Sequence, residues 1–201
     1  MPVNGKYGSP QGKEQRPGQG LGAQGGVREA VQDVSPMTAA ALPGVKDDKT
    51  IIVFSGDFDK VMAAFVIANG ALAMGKKVTM FFTFWGLNAI RKPQRTGIRK
   101  KLLETMFEWM MPRGSRNLKL SNMNMLGIGT KLMRKIMADK NISSLEELIA
   151  GAQAQGVRIL ACQMSMDAMG LRREELLDGV ETVGVGTFLG ASEEGNMTLF
   201  I

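Results

Sequence analysis

Val78-Thr-Met-Phe-Phe-Thr83 is the stretch that most narrows what this chain can fold into, because its β-branched and aromatic residues leave no wet face. A strand apolar on both faces fits a parallel sheet covered by helices. Thr50–Phe54 reads the same way, and the turn and cap residues Ser55-Gly56-Asp57 lead from it into a helix predicted over 58–74, closed by Gly75. Val157–Ala161, introduced by Gly156, is a third short apolar strand, and 179–183 and 197–201 complete five. Helical connections separate these strands. Ser144-Leu-Glu-Glu147 is a capping box that starts a helix near 145–154, and further helices are predicted near 172–177 and 184–194. The fold class is therefore α/β: a five-stranded, mainly parallel sheet with helices on both faces, since right-handed crossovers place them there.

The stretch between strands 2 and 3 is too long for a simple crossover. Residues 84–156 form a basic, Met-rich helical excursion. Arg91, Lys92, Arg95, Arg99, Lys100 and Lys101 surround Pro93, and an apolar helical spacing from Leu102 to Met111 ends at Pro112. A second run places Leu126, Met133, Ile136 and Met137 on one face and Lys131, Arg134 and Lys135 on the other. The expected arrangement is a core-facing apolar stripe with a solvated cationic face. Residues 1–48, rich in Gly, Pro, Gln and Ser, read as a disordered tail, leaving 49–201 as the domain.

The chain has one cysteine, Cys162, and no histidine. Imidazole acid–base chemistry, Cys–His pairs, His-containing zinc sites, CxxC dithiols and single-chain iron–sulfur clusters are all excluded. Neither a metal nor a cofactor is expected. The net charge of +6 suits anionic partners, but no aromatic-basic motif or zinc-finger spacing gives a specific nucleic-acid signal. No apolar run approaches the ~20 residues that span a bilayer, and no secretory leader is evident, so a cytoplasmic location is expected.

Cys162 falls where the third strand meets a following helix, at the strand end where α/β sheets bind ligands. Position alone leaves two readings open: an inert core thiol, or a nucleophile whose thiolate is supported by the backbone N–H groups of Gln163, Met164 and Ser165. Ser165 and Asp167 are expected as helix caps. If the strands run parallel, Ser55, Gly56, Asp57 and Trp85 lie on the same side of the sheet and are candidates for a pocket around the thiol.

Several extended strings resemble the DsrE/DsrF-like sulfur-relay family, in its longer DsrE-like branch. They are Val53-Phe-Ser-Gly-Asp-Phe-Asp-Lys60, Phe82-Thr-Phe-Trp-Gly86, Met111-Pro-Arg-Gly-Ser115, Lys119-Leu-Ser-Asn-Met-Asn-Met-Leu-Gly-Ile-Gly129, Ala161-Cys-Gln-Met-Ser-Met-Asp167 and Phe188-Leu-Gly-Ala-Ser-Glu-Glu194. The resemblance implies a flavodoxin-like DsrE fold, usually a homo-oligomer. It also implies a sulfurtransferase or sulfur carrier that holds sulfane sulfur as a persulfide on Cys162 and exchanges it with TusA-like carriers or rhodanese-like donors. The alternative is a non-catalytic protein-interaction or peripheral membrane scaffold with a buried structural cysteine.

Overall fold

In the computed structural model, residues 47–95, 97, 102–193 and 195–201 are described. Residues 1–46 of the expected tail, and Arg99 to Lys101 of the basic connector, lie outside them. The strands are β1 (Asp48–Val53), β2 (Val78–Phe82), β3 (Arg158–Cys162), β4 (Glu181–Val183) and β5 (Gly195–Phe200). They form one sheet in the order β4-β3-β2-β1-β5, and every neighbouring pair is parallel.

The helices are α1 (Phe58–Ala73), α2 (Leu102–Met110), α3 (Ile128–Asp139), α4 (Leu145–Ala154), α5 (Gln163–Met169) and α6 (Val185–Ser192). Strand side chains alternate between the two faces of the sheet. Ile51, Val53, Met80, Phe82, Ile159 and Ala161 point into one core with Phe65 of α1, Ile149 of α4 and Met166 of α5. Phe81, Leu160 and Cys162 point the other way, into a smaller cluster closed by Phe188 of α6. The asymmetry follows from topology. The chain steps from β1 through β2 and β3 to β4 in one direction, keeping its connections on one face, and only the return to β5 passes over the other.

The Ser144 capping box forms as expected: the Glu147 N–H donates to Ser144 Oγ, and the Ser144 N–H to Glu147 Oε2 at 2.8 Å. Residues 172–177 instead make a single 3-10 turn, Arg173–Glu175. The reason is electrostatic. Glu175 is drawn into the interior, where Arg113 Nη2 reaches it at 3.0 Å and Arg91 Nη2 at 3.2 Å, and Arg113 also meets Glu108. Burial and the charge of Arg113 push the Arg91 pKa down, while Glu175 and Glu108 oppose that shift.

The excursion corrects one expectation. In α3 the residues turned inward are Thr130, Arg134 and Met137, spaced i, i+4, i+7, whereas Ile128, Leu132, Met133 and Ile136 are exposed. Leu126 lies ahead of the helix and is fully exposed. Arg134 is held by three partners that the helical pattern does not reveal. Its guanidinium lies 4.5 Å over the Phe58 ring, pairs with Glu146 at 3.0 Å and donates to the Ser115 carbonyl at 2.9 Å. Only Met137 of this run packs as expected, and in the preceding run Met111 is buried while Leu102, Met106 and Met110 are exposed. Among the described residues, no helix is long and apolar enough to cross a membrane.

Candidate functional site

Cys162 is the last residue of β3 and the residue before α5, with extended backbone (φ −69°, ψ 114°). Its side chain is 2% exposed. The thiol belongs to the cluster of Phe81, Leu160 and Phe188, with Ile52 and Val183 packed against it. Phe188 stacks on Phe81 with ring centroids 4.2 Å apart, and it is the buried residue of α6. One aromatic side chain therefore holds the helix that covers this face.

Of the three residues expected to support a thiolate, Gln163 directs its side chain to Asp167 at 2.8 Å and Met164 is exposed. Ser165 is completely buried and shares a 2.7 Å hydrogen bond with Thr83 Oγ1. Neither Ser165 nor Asp167 caps α5, whose N-terminus has no side-chain cap. Thr83 was not singled out from the sequence. The pairing of Phe82 with Ala161 brings it level with Cys162, and only register reveals that.

Ser55, Gly56, Asp57 and Trp85 do come together, lining a cleft of about 380 Å³ at the carboxyl ends of β1 and β2. Close backbone packing builds it. A Cβ on Gly86 would stand 2.2 Å from the Val53 carbonyl oxygen, and one on Gly56 would stand 2.7 Å from that of Trp85, so both positions require glycine. Asp57 does not cap α1 through its side chain. Asp57 Oδ2 accepts from Ser55 Oγ at 3.0 Å and from Lys60 Nζ at 2.8 Å, while the first N–H of α1, on Phe58, donates to the Lys119 carbonyl at 2.8 Å. Asn88 and Lys119 also line the cleft, and neither was expected there; Cys162 is not among its lining residues. Thiol and cleft share the carboxyl edge of the sheet. Among the described residues, no group of three or more Cys, Asp or Glu side chains is arranged to hold a metal ion.

A sequence model of the DsrE/DsrF/DrsH-like family matches residues 46–200. The uncharacterized protein YrkE of Bacillus subtilis is 49% identical over 152 residues, which span 76% of this chain and 95% of that protein. The sulfur carrier protein DsrE2 of Allochromatium vinosum is 32% identical over 155 residues, spanning 75% of this chain and 96% of that one. Among solved structures, the ychN protein from E. coli superposes with a TM-score of 0.45 at 14% identity, covering 77% of this chain and 99% of that one.

Proposed function

We propose that this chain, which belongs to the DsrE/DsrF/DrsH-like family, works in sulfur relay and carries sulfane sulfur as a persulfide on Cys162. The observation that carries the reading is the similarity, over nearly the whole length of the relative, to a protein named as a sulfur carrier. The chain's only cysteine stands at the carboxyl end of a strand inside the matched region.

The chemistry needs one thiolate. Cys162 Sγ attacks the outer sulfur of a donor, forming an S–S bond, and the donor's own S–S bond breaks with its electron pair leaving on sulfite or a shortened polysulfide. An acceptor thiolate then attacks the outer persulfide sulfur and Cys162 thiolate leaves. No external oxidant or reductant enters the cycle. TusA-like carriers and rhodanese-like donors are the proposed partners, with a homo-oligomer and a cytoplasmic location. With the thiol buried, the proposed route of access is motion of α6, which among the described residues has Phe188 as its one buried side chain.

The test is intact mass before and after incubation with thiosulfate or polysulfide, followed by reduction, for the wild type and Cys162→Ser. A reducible gain of one or more sulfur atoms in the wild type and none in the variant is the expected result. No adduct with either donor after incubation long enough for iodoacetamide to label the thiol, in the wild type and in Phe188→Ala, overturns the reading in favour of a structural cysteine in an interaction scaffold.

A further inference from the structure

Asn88, 1% exposed, lies in the turn after β2 and lines the cleft beside Trp85. Its Oδ1 faces Arg91 Nη1 at 3.4 Å. A guanidinium offers only donors, so the oxygen end of the amide is fixed toward Arg91 and the Nδ2 end turns away from it. Among the described residues nothing accepts from Nδ2, although Asn88 Nδ2 is not sealed from solvent. Nδ2 is therefore open to an acceptor that enters the cleft, a place water otherwise serves.

The charges around it select the acceptor. Asp57, the cleft's one carboxylate, is already matched by Lys60 Nζ and Ser55 Oγ. Lys119 is exposed and forms no ion pair with a described residue, yet its backbone is pinned to the first residue of α1 by the Phe58 N–H. With Lys60, Lys119 and Asp57 the cleft carries one net positive charge, and the N-terminal end of a 16-residue helix adds to it. Trp85 and Phe54 supply flat apolar walls, each over a third exposed. A cleft of about 380 Å³ is within the range of small-molecule sites and larger than an inorganic ion needs.

We propose that this cleft binds a small organic oxyanion, with head-group oxygens accepting from Asn88 Nδ2 and Lys119 Nζ and an apolar body against Trp85. Phosphate and sulfonate or thiosulfonate heads share this chemistry. The site does not rest on the sulfur-carrier reading, because Cys162 does not line it.

The full chain, labelled with ¹⁵N, is titrated with phenyl phosphate, benzenesulfonate, benzenethiosulfonate and neutral benzyl alcohol. The Asn88 side-chain amide, identified by its loss in Asn88→Ala, and the Trp85 indole N–H are followed. The expected result is a saturable shift of both signals with at least one oxyanion. Affinity falls about tenfold or more in Lys119→Ala and is retained in Lys119→Arg, as for loss of one charged contact. Benzyl alcohol shifts neither signal, and the tighter head group names the source. The proposal is overturned if no oxyanion moves the Asn88 amide up to about 10 mM, if Lys119→Ala binds as tightly as the wild type, or if benzyl alcohol binds equally well. Persulfide formation without oxyanion binding defeats this proposal alone, and binding without persulfide defeats the sulfur-carrier reading alone.

Discussion

Removing Phe188 should unlock Cys162 without unfolding the domain. Phe188 is the buried residue of α6, stacked 4.2 Å from Phe81 in the cluster that holds the thiol. Phe188→Ala removes on the order of 100 Å² of buried apolar surface, worth about 2–3 kcal/mol at ~25 cal/mol/Å². The low end of the range for Phe→Ala is appropriate, since solvent can refill a site beneath a surface helix. If α6 opens and closes quickly relative to labelling, the open population sets the rate. The weakened anchor then raises that population, and the rate of Cys162 alkylation, by ~30- to 160-fold. Iodoacetamide labelling under native conditions, followed by intact mass, measures it directly. Global unfolding would expose the thiol too, so Ile149→Ala is the control: Ile149 is buried in α4 on the opposite face, with a comparable expected loss of ~2–5 kcal/mol. Labelling of Phe188→Ala within about threefold of the wild type, or equal acceleration in Ile149→Ala, refutes local opening at α6.

Two further outcomes concern how the excursion is tied down. Glu175→Ala leaves Arg91 and Arg113 in the interior with Glu108 as the one carboxylate they still share among the described residues, so the expected loss is at the low end of that for breaking a buried pair, about 3 kcal/mol; thermal unfolding checks it, and an unchanged midpoint refutes it. Asp59 and Glu146 carry a pH dependence. Burial tends to raise both pKa values, but Ser121 donates to Asp59, Ser115 and Arg134 donate to Glu146, and these contacts hold the two below their ordinary 3.8 and 4.5. Both groups bind protons more weakly folded than unfolded, so their contribution is complete above about pH 4.5 and drains away as pH falls through the folded values. Hydrogen exchange at pH 7, 5 and 3 should show residues 115–139 losing protection before α1 does; equal protection at pH 3 refutes it.

All five strands and the α4 capping box were readable from residue order because each depends on local chemistry: an apolar run between turn residues, or a serine three positions before a glutamate. What escaped was decided by partners distant in sequence. The i, i+4, i+7 spacing of Thr130, Arg134 and Met137 is as helical as the apolar stripe, and the inward choice is made by Phe58, Ser115 and Glu146. Alternation along β3 shows that Leu160 and Cys162 share a face opposite Ile159 and Ala161. It does not show that, among the described residues, their face is the one α6 crosses, because that follows from β5 returning to the far side of β1. Asn88 gives no local signal at all. Its place in the proposed site comes from Arg91, which faces the amide oxygen at 3.4 Å, and from the fold that brings the residue to the cleft wall.

The burial of Cys162 changes what thiol reactivity can decide. Fast alkylation would be expected of an exposed carrier cysteine and slow alkylation of an inert one, but a carrier whose thiol sits under α6 also labels slowly. With an opening cost of about 3 kcal/mol, the accessible state is populated under ~1% of the time, and attack on a small donor is reduced by the same factor. A protein partner that binds the opened face draws on the population shift and can recover up to that whole factor, whereas a small donor with no preference for the open state recovers none. Slow reaction with small reagents together with fast exchange in a docked complex is thus the signature of a covered carrier. Phe188→Ala should erase the difference between the two, because it opens the face for every reagent alike. An inert core thiol gives no such partner-dependent gain.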